Sequence, residues 1–334
     1  MSLYKSYYNT IQKAMTQGKM NESYSSFDGL TAKRMMYSEL KSEIPENELL
    51  PELADLASQL GIVPNFNQST GLHPHFESLK TSGDMEYHYI VSVFIDIKGS
   101  TNLFKKYDPS IVAAIQNTIQ KAAIHTCLVF GGYIHRLHGD GLFVYFGGKG
   151  IDKKIAVQRA MQSTSLFTYF VKNDLKELFE EQGIERINTR IGIDLGHDDD
   201  VLWLLAGIGE ISEVTTCSLH TSLASKMQTY AETNGIVVGD HIKDQVPLLN
   251  QFSSPVCNRT NNPNDRYIFE IPENNFRYTQ HDFDWFNYLK TLPFIATAID
   301  GKLAFKATNP VVYNNRSVQN LIPIAEKSKP YFNF

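Results

Sequence analysis

An α+β fold is predicted from three features of the chain. Strand and helix signals alternate from residue 85 to about 269, in the coarse order βαββαββαβ. Within that stretch Val91, Val93, Phe94 and Ile95 form a core-strand run that ends in a carboxylate, Asp96, and a glycine turn. Gly139, Asp140 and Gly141 then stand between two runs of strand formers, which is strong hairpin chemistry. Such an order suits an antiparallel or mixed sheet with helices over one face.

The 334 residues divide into a helical N-terminal extension and linker (1–83), the sheet domain (84–271) and a C-terminal extension (272–334). Tyr4, Tyr7, Tyr8, Ile11 and Met15 recur at helical spacing, and further helices are predicted near 30–40 and 48–60, the latter with Pro51 near its start. Residues 65–83 are polar and broken by Gly and Pro, so a linker is predicted there. His73 and His75 flank Pro74 within it, but no third ligand is near and no metal site is expected. In the domain, Asp108 and Pro109 open a long helix with Ile111, Ile115, Ile119 and Ala122 on one face. Strands at 133–137 and 142–146 follow, then a helical segment at 151–182 and a strand at 187–195. A polar tip at 196–200 leads to a strand at 201–208, a polar loop and a helix at 218–233. A short strand at 235–238, a short helix from Asp240 and a strand at 266–271 complete the domain. Beyond it the chain is polar and Asn-rich, with one helix predicted at 282–289.

The formal net charge of −5 gives no basic footprint for nucleic acid or for an anionic membrane. No apolar run is long enough for a bilayer, and the N-terminus lacks the apolar core of a signal peptide. The three widely spaced cysteines, Cys127, Cys217 and Cys257, fit reduced thiols. A cytoplasmic protein without nucleic-acid or membrane partners is expected.

Asp96 and Asp140 carry the chemistry. One ends a strand and the other sits at a hairpin tip, so neighbouring strands would put both carboxylates at one sheet edge. Between the first of them and the next helix, Lys98, Gly99, Ser100 and Thr101 form a turn whose unpaired backbone N–H groups suit phosphate. Two carboxylates beside a phosphate cradle are what a two-metal site needs. Each feature also has a plainer use, since Asp caps turns and Asp-Gly makes hairpins without any function.

Four segments together carry a resemblance to the class III nucleotidyl cyclases. The run from Phe94 to Thr101 resembles that family's first metal motif, and Arg136 to Phe143 its second metal hairpin. Arg190 to Gly196 is similar to its Arg-x-Gly-Ile strand, and Ser222 to Gln228 to its Asn-x-Ala-x-Arg helix. The resemblance implies a ferredoxin-like catalytic domain holding two divalent ions, Mn²⁺ or Mg²⁺, on Asp96 and Asp140, with the Ile97 backbone as a further ligand. It implies that Lys98, Gly99, Ser100 and Thr101 hold the β- and γ-phosphates of a nucleoside triphosphate and that Arg190 binds phosphate. It also implies a homodimer in which one protomer's metals face the partner's transition-state residues.

Two departures stand out. Ser222 and Lys226 replace the family's transition-state Asn and Arg; lysine keeps the cation but lacks the bidentate fork. Arg136, with Thr215 or Thr216, replaces the adenine-reading Lys and Asp. In this the chain resembles the cyclases of bacterial antiphage systems that make cyclic pyrimidine nucleotides. Conversion of UTP to 3′,5′-cyclic UMP, read by a downstream cyclic-nucleotide-binding effector, is the expectation. CTP, a purine triphosphate, or a degenerate nucleotide-binding regulator remain as alternatives.

Overall fold

The computed structural model describes residues 2–20, 27–184 and 187–306. Helices α1 (Lys5–Met20), α2 (Phe27–Ser42), α3 (Pro51–Gln59) and the single turn α4 (Leu79–Ser82) lead in. Strands β1 (Met85–Tyr87) and β2 (Ile90–Lys98) precede the long α5 (Pro109–Val129) and the hairpin β3 (Tyr133–His138) and β4 (Gly141–Phe146). Next come α6 (Lys153–Tyr169), α7 (Leu175–Glu181), β5 (Asn188–Gly196), β6 (Leu202–Ile208) and β7 (Ile211–Cys217). The chain continues through α8 (Leu219–Tyr230), β8 (Gly235–Gly239), α9 (Asp240–Gln245), β9 (Ser253–Pro255), α10 (Val256–Thr260) and β10 (Tyr267–Ile271). It closes with β11 (Phe276–Phe283), α11 (Trp285–Lys290), β12 (Ile295–Thr297) and β13 (Leu303–Phe305). Among the described residues no helix is long and apolar enough to cross a membrane.

The main sheet has the order β10-β11-β8-β5-β2-β4-β3, with β9 paired to β11. It is antiparallel except for β5 and β8. Alternation sorts its two faces. Val91, Val93, Ile95 and Ile97 of β2, with Ile191, Ile193 and Leu195 of β5, enter the main core beneath α5 and α6. The N-terminal stripe joins that core: Tyr4, Tyr7, Ile11 and Met15 are fully buried, while Tyr8 stays at its margin. The Tyr7 hydroxyl meets His125 Nδ1 at 2.6 Å and the Tyr4 hydroxyl meets Thr126 Oγ1 at 2.8 Å, so α1 and the turn before it are bonded to α5 as well as packed on it.

The opposite face holds Ser92, Phe94 and Asp96 of β2 and Arg190, Gly192 and Asp194 of β5. Here the expectation of helices on one face only is corrected, because α8 lies across β5, β2 and β8. Gly192 is what admits it. A Cβ at Gly192 would stand 2.1 Å from the Ala224 carbonyl oxygen and 2.4 Å from the Gln228 nitrogen, both backbone atoms that cannot turn away. Gly192→Ala is therefore expected to lift α8 from the sheet at a cost of about 1–3 kcal/mol, the usual range for overpacking. Thermal denaturation should show Tm lower by several degrees; an unchanged Tm would mean that α8 is not seated this tightly.

Other differences have local causes. The expected polar loop after 208 is a strand, β7, which pairs with β6 and carries Val214, Thr215 and Thr216. Its β-branched residues outweigh the polarity of Ser212 and Glu213. The expected linker at 65–83 is docked: Leu72 bridges to Val214, and Phe76, fully buried, stacks on Trp203 at 4.0 Å. Three apolar anchors, Leu72, Phe76 and Leu79, hold this otherwise polar segment on β6 and β7. The helix expected at 282–289 begins only at Trp285, because residues 276–283 extend the sheet past 271 as β11. The helical segment at 151–182 is interrupted by a wider turn at Phe170–Asp174. Of the C-terminal extension, residues 307–334 lie outside the described residues. Cys127, Cys217 and Cys257 are free thiols.

Candidate active site

The site is built where β2 ends beside the β3–β4 hairpin. Ile95 pairs with Leu142, which sets Gly141 next to Asp96. A Cβ at Gly141 would lie 2.5 Å from the Ile95 carbonyl oxygen and 3.5 Å from the Asp96 Cα, so the close approach requires glycine. Asp140, the next residue back, thereby shares an edge with Asp96. Ser100 donates its hydroxyl proton to Asp140 Oδ2 at 2.5 Å, tying the turn after β2 to the hairpin tip. Across the strand, Arg190 Nη2 donates to Asp96 Oδ2 at 2.9 Å. The arginine expected to bind phosphate is thus ion-paired to the first aspartate in this structure.

Gly99 adopts φ +86°, the left-handed region, and turns the chain directly into a short 3₁₀ segment, Ser100–Lys105. The expected α-helix at this point is only that segment; α5 starts at Pro109, where Asp108 accepts from the Ser110 N–H at 3.0 Å. Lys98 and Thr101 are exposed. The Ile97 side chain is buried, which leaves its backbone as the group with access to the edge. Lys98 and Arg190 line a surface cleft with Ala231, Glu232 and Thr233.

The donor set fits a hard divalent cation. Two carboxylates and a backbone carbonyl offer oxygen only, as Mg²⁺ and Mn²⁺ prefer, and the Asp96 side chain keeps 34% of its surface exposed.

Ser222 and Lys226 lie on α8. The Ser222 hydroxyl turns back to the Ser218 carbonyl at 3.2 Å. Lys226 is exposed and makes no ion pair among the described residues. Neither hydrogen-bonds Asp96 or Asp140 within this chain.

Arg136 and the two threonines come together elsewhere, between β3 and β7. Arg136 Nε donates to Glu213 Oε2 at 2.7 Å, and its Nη2 also meets Glu213 Oε1. Thr215 Oγ1 lies 3.2 Å from His135 Nε2, and Thr216 Oγ1 is 2.9 Å from the Tyr145 hydroxyl. Burial, with the charges of Arg136 and His138, holds His135 down to about 3, so the ring is neutral. Sequence reasoning missed Glu213 and His135. The one local signal was a carboxylate standing two residues before Thr215, in a segment read as loop.

No protein-family model matches the chain. A cytidylate cyclase of Staphylococcus aureus is 36% identical over 271 residues, covering 80% of this chain and 62% of that protein. A cytidylate cyclase of Escherichia coli is 31% identical over 266 residues, covering 76% of this chain and 57% of that protein. The chain thus spans about three fifths of the length of these relatives. Among solved structures, the adenylyl cyclase CyaB of P. aeruginosa superposes with a TM-score of 0.48 at 17% identity, over 60% of this chain and 95% of that one. By its two cytidylate cyclase relatives the chain is most like the pyrimidine nucleotide cyclases, and its mixed sheet, with Asp96 in β2 and Asp140 in the turn between β3 and β4, is the one expected of a class III nucleotidyl cyclase.

Proposed function

We propose that this chain converts CTP to 3′,5′-cyclic CMP and pyrophosphate, as a homodimer with shared sites. The reading rests on one observation above the rest. Arg136, at the position where the family reads the base, is clamped to a carboxylate, Glu213. A guanidinium is a donor only and a carboxylate an acceptor only. Cytosine offers such a pair an exocyclic amine to donate and ring acceptors to receive. Uracil replaces that amine with a carbonyl, which sets acceptor against acceptor at Glu213. The UTP preference expected from Arg136 with Thr215 or Thr216 therefore gives way to CTP, and the activity named for the two relatives supports the same choice.

In this reading the ribose 3′-hydroxyl attacks the α-phosphorus. The new bond joins O3′ to phosphorus, the 3′-hydroxyl proton passes to solvent, the bond to the bridging oxygen breaks, and pyrophosphate leaves. Asp96 and Asp140, with the Ile97 carbonyl, would hold the divalent ions, whose chemistry there would be charge neutralisation and a more acidic 3′-hydroxyl. The turn from Lys98 to Thr101 directs backbone N–H groups at the phosphates. Arg190 holds the Asp96 carboxylate in place. Lys226, with Ser222 beside it on α8, serves the α-phosphate and ribose of the partner's substrate. The released cyclic nucleotide serves a cyclic-nucleotide-binding effector in antiphage signalling, a role supported by the resemblance to those systems.

Glu213→Gln tests the base assignment. Its amide no longer presents acceptors alone, so discrimination worth about 1–3 kcal/mol is at stake. The ratio of cyclic CMP to cyclic UMP formed from equimolar CTP and UTP should fall roughly tenfold. A ratio equal to that of the unaltered protein, in a variant that still turns over, would remove Glu213 from base reading.

A further inference from the structure

Three potential metal ligands from three elements meet at the end of β5 remote from Arg190. Asp200 lies on the turn after β5, His220 in the first turn of α8 and His241 in the first turn of α9. One ligand atom of each lies within 4.8 Å of the others. Strand register sets Arg190 opposite Asp96 but Asp194 opposite Ser92. The cluster around Asp194 is therefore four residues, about 13 Å, along the strand from the candidate active site.

We infer that Asp200, His220 and His241 bind one transition-metal ion of the Zn²⁺ class, at a site separate from the one that Asp96 and Asp140 form. The orientation of the two imidazoles is the main support. Asp194, fully buried, accepts from His220 Nδ1 at 2.8 Å and from the Tyr278 hydroxyl at 2.7 Å. This fixes the tautomer and leaves His220 Nε2 facing Asp200 Oδ2, 3.8 Å away. His241 Nδ1 bonds the Leu195 carbonyl at 2.9 Å, so its Nε2 is the nitrogen left with a lone pair. A carboxylate or carbonyl behind each ligating histidine is the usual outer shell of a metal site. A tetrahedral ion with bonds of about 2.0–2.1 Å needs ligand atoms about 3.4 Å apart. Asp200, whose side chain is 42% exposed on a surface turn, can close the small remaining gap. The His197 ring lies 4.5 Å from that of His241, so a fourth position is open to it or to water. Two nitrogens and one oxygen favour Zn²⁺ over the hard cations that suit Asp96 and Asp140.

Burial works against a charged His220, but the hydrogen bond and charge of Asp194 and the charge of Asp200 outweigh it and raise its pKa. A metal at Nε2 would compete with a proton for that nitrogen. It would also pin the first turn of α8, the helix that carries Ser222 and Lys226.

This inference does not depend on the proposed reaction, and metal binding alone tests it. The full chain is titrated with Zn²⁺ by calorimetry in excess Mg²⁺, and Co²⁺ absorption serves as a second readout of tetrahedral coordination. One Zn²⁺ per chain is expected. Asp200→Asn and His241→Gln should each weaken binding at least tenfold, Asp194→Asn by about 10–100-fold, and Asp96→Ala should leave it unchanged. Asp200 is at the surface, so its variant remains a folded control even if the histidine variant does not fold. Absence of saturable Zn²⁺ binding would overturn the inference. So would binding that survives Asp200→Asn undiminished, or binding that is lost with Asp96→Ala.

Discussion

Replacing Asp96 or Asp140 with alanine should lower cyclic-nucleotide formation by about a thousandfold or more, with the fold intact. Asp96 and Asp140 share one edge, and each removal deletes half of the charged donor set there. Metal stabilisation of a phosphoryl transition state is worth several kcal/mol, and each ~1.4 kcal/mol is a factor of ten in rate. Circular dichroism should be unchanged, because Asp140 sits in a turn and Asp96 is partly exposed. One complication is specific to this chain: Asp96→Ala frees Arg190, and Asp140→Ala frees Ser100. Asp96→Asn keeps a polar partner for Arg190 and should be as inactive as Asp96→Ala. The proposed shared-site arrangement adds a sharper form of the test. Mixing Asp96→Ala with Lys226→Ala chains should restore activity, since each heterodimer has one intact site. Mixtures that stay inactive after heterodimers are verified would contradict sharing. Near-normal pyrophosphate release from either aspartate variant would contradict the metal assignment.

Mild acid should destabilise the protein steeply. Burial, with the charges of His75, His135 and His88, holds His73 down to about 3. Burial and the charge of Arg136 and His138 do the same to His135, again to about 3. Burial and Lys121 hold His125 to about 4. In the unfolded chain each takes a proton near pH 6.5. Below that pH the unfolded state binds more protons than the folded one. The stability these neutral rings contribute is complete above pH 6.5 and is lost as the pH falls towards 3–4. At pH 5.5 the loss is roughly 1–2 kcal/mol per histidine, or about 4 kcal/mol together. That is a large share of the 5–15 kcal/mol typical of a folded domain. His220 is raised instead, so its contribution grows as the pH falls to 6.5 and adds nothing further below it. Urea midpoints at pH 7.5 and pH 5.5 decide the matter. A clearly lower midpoint with an unchanged slope is expected at pH 5.5, and equal midpoints would mean that these rings titrate normally.

Much of the site was legible because its parts are local. The run from Val91 to Asp96 alternates along one strand, and Gly139 to Gly141 is turn chemistry that needs no distant partner. The strand around Arg190 is marked the same way, and register alone then brings Arg190 against Asp96. What escaped notice depends on pairs far apart in sequence. Glu213 meets Arg136 across 77 positions, and nothing local to either residue announces the other. Strand β7 looked like a loop because Ser212 and Glu213 are polar, and only pairing with β6 makes it a strand. Residues 65–83 read as a linker because Phe76 is a single aromatic in a polar segment, and its value lies in the Trp203 ring 127 positions later. Asp194 is a fully buried carboxylate among the apolar residues Ile191, Ile193 and Leu195 of β5, a conflict that signals a partner without saying which. His220, Tyr278 and α9 complete that cluster from three separate elements.

The most direct test of the account is a competition. The chain is incubated with Mn²⁺ and equal concentrations of ATP, GTP, CTP and UTP, and every cyclic product is identified by chromatography and mass. Cyclic CMP should dominate, because a donor and an acceptor set side by side at Arg136 and Glu213 match cytosine. A dominant cyclic UMP product would contradict the role given to Glu213, and a dominant cyclic AMP or cyclic GMP product would contradict the pyrimidine reading altogether.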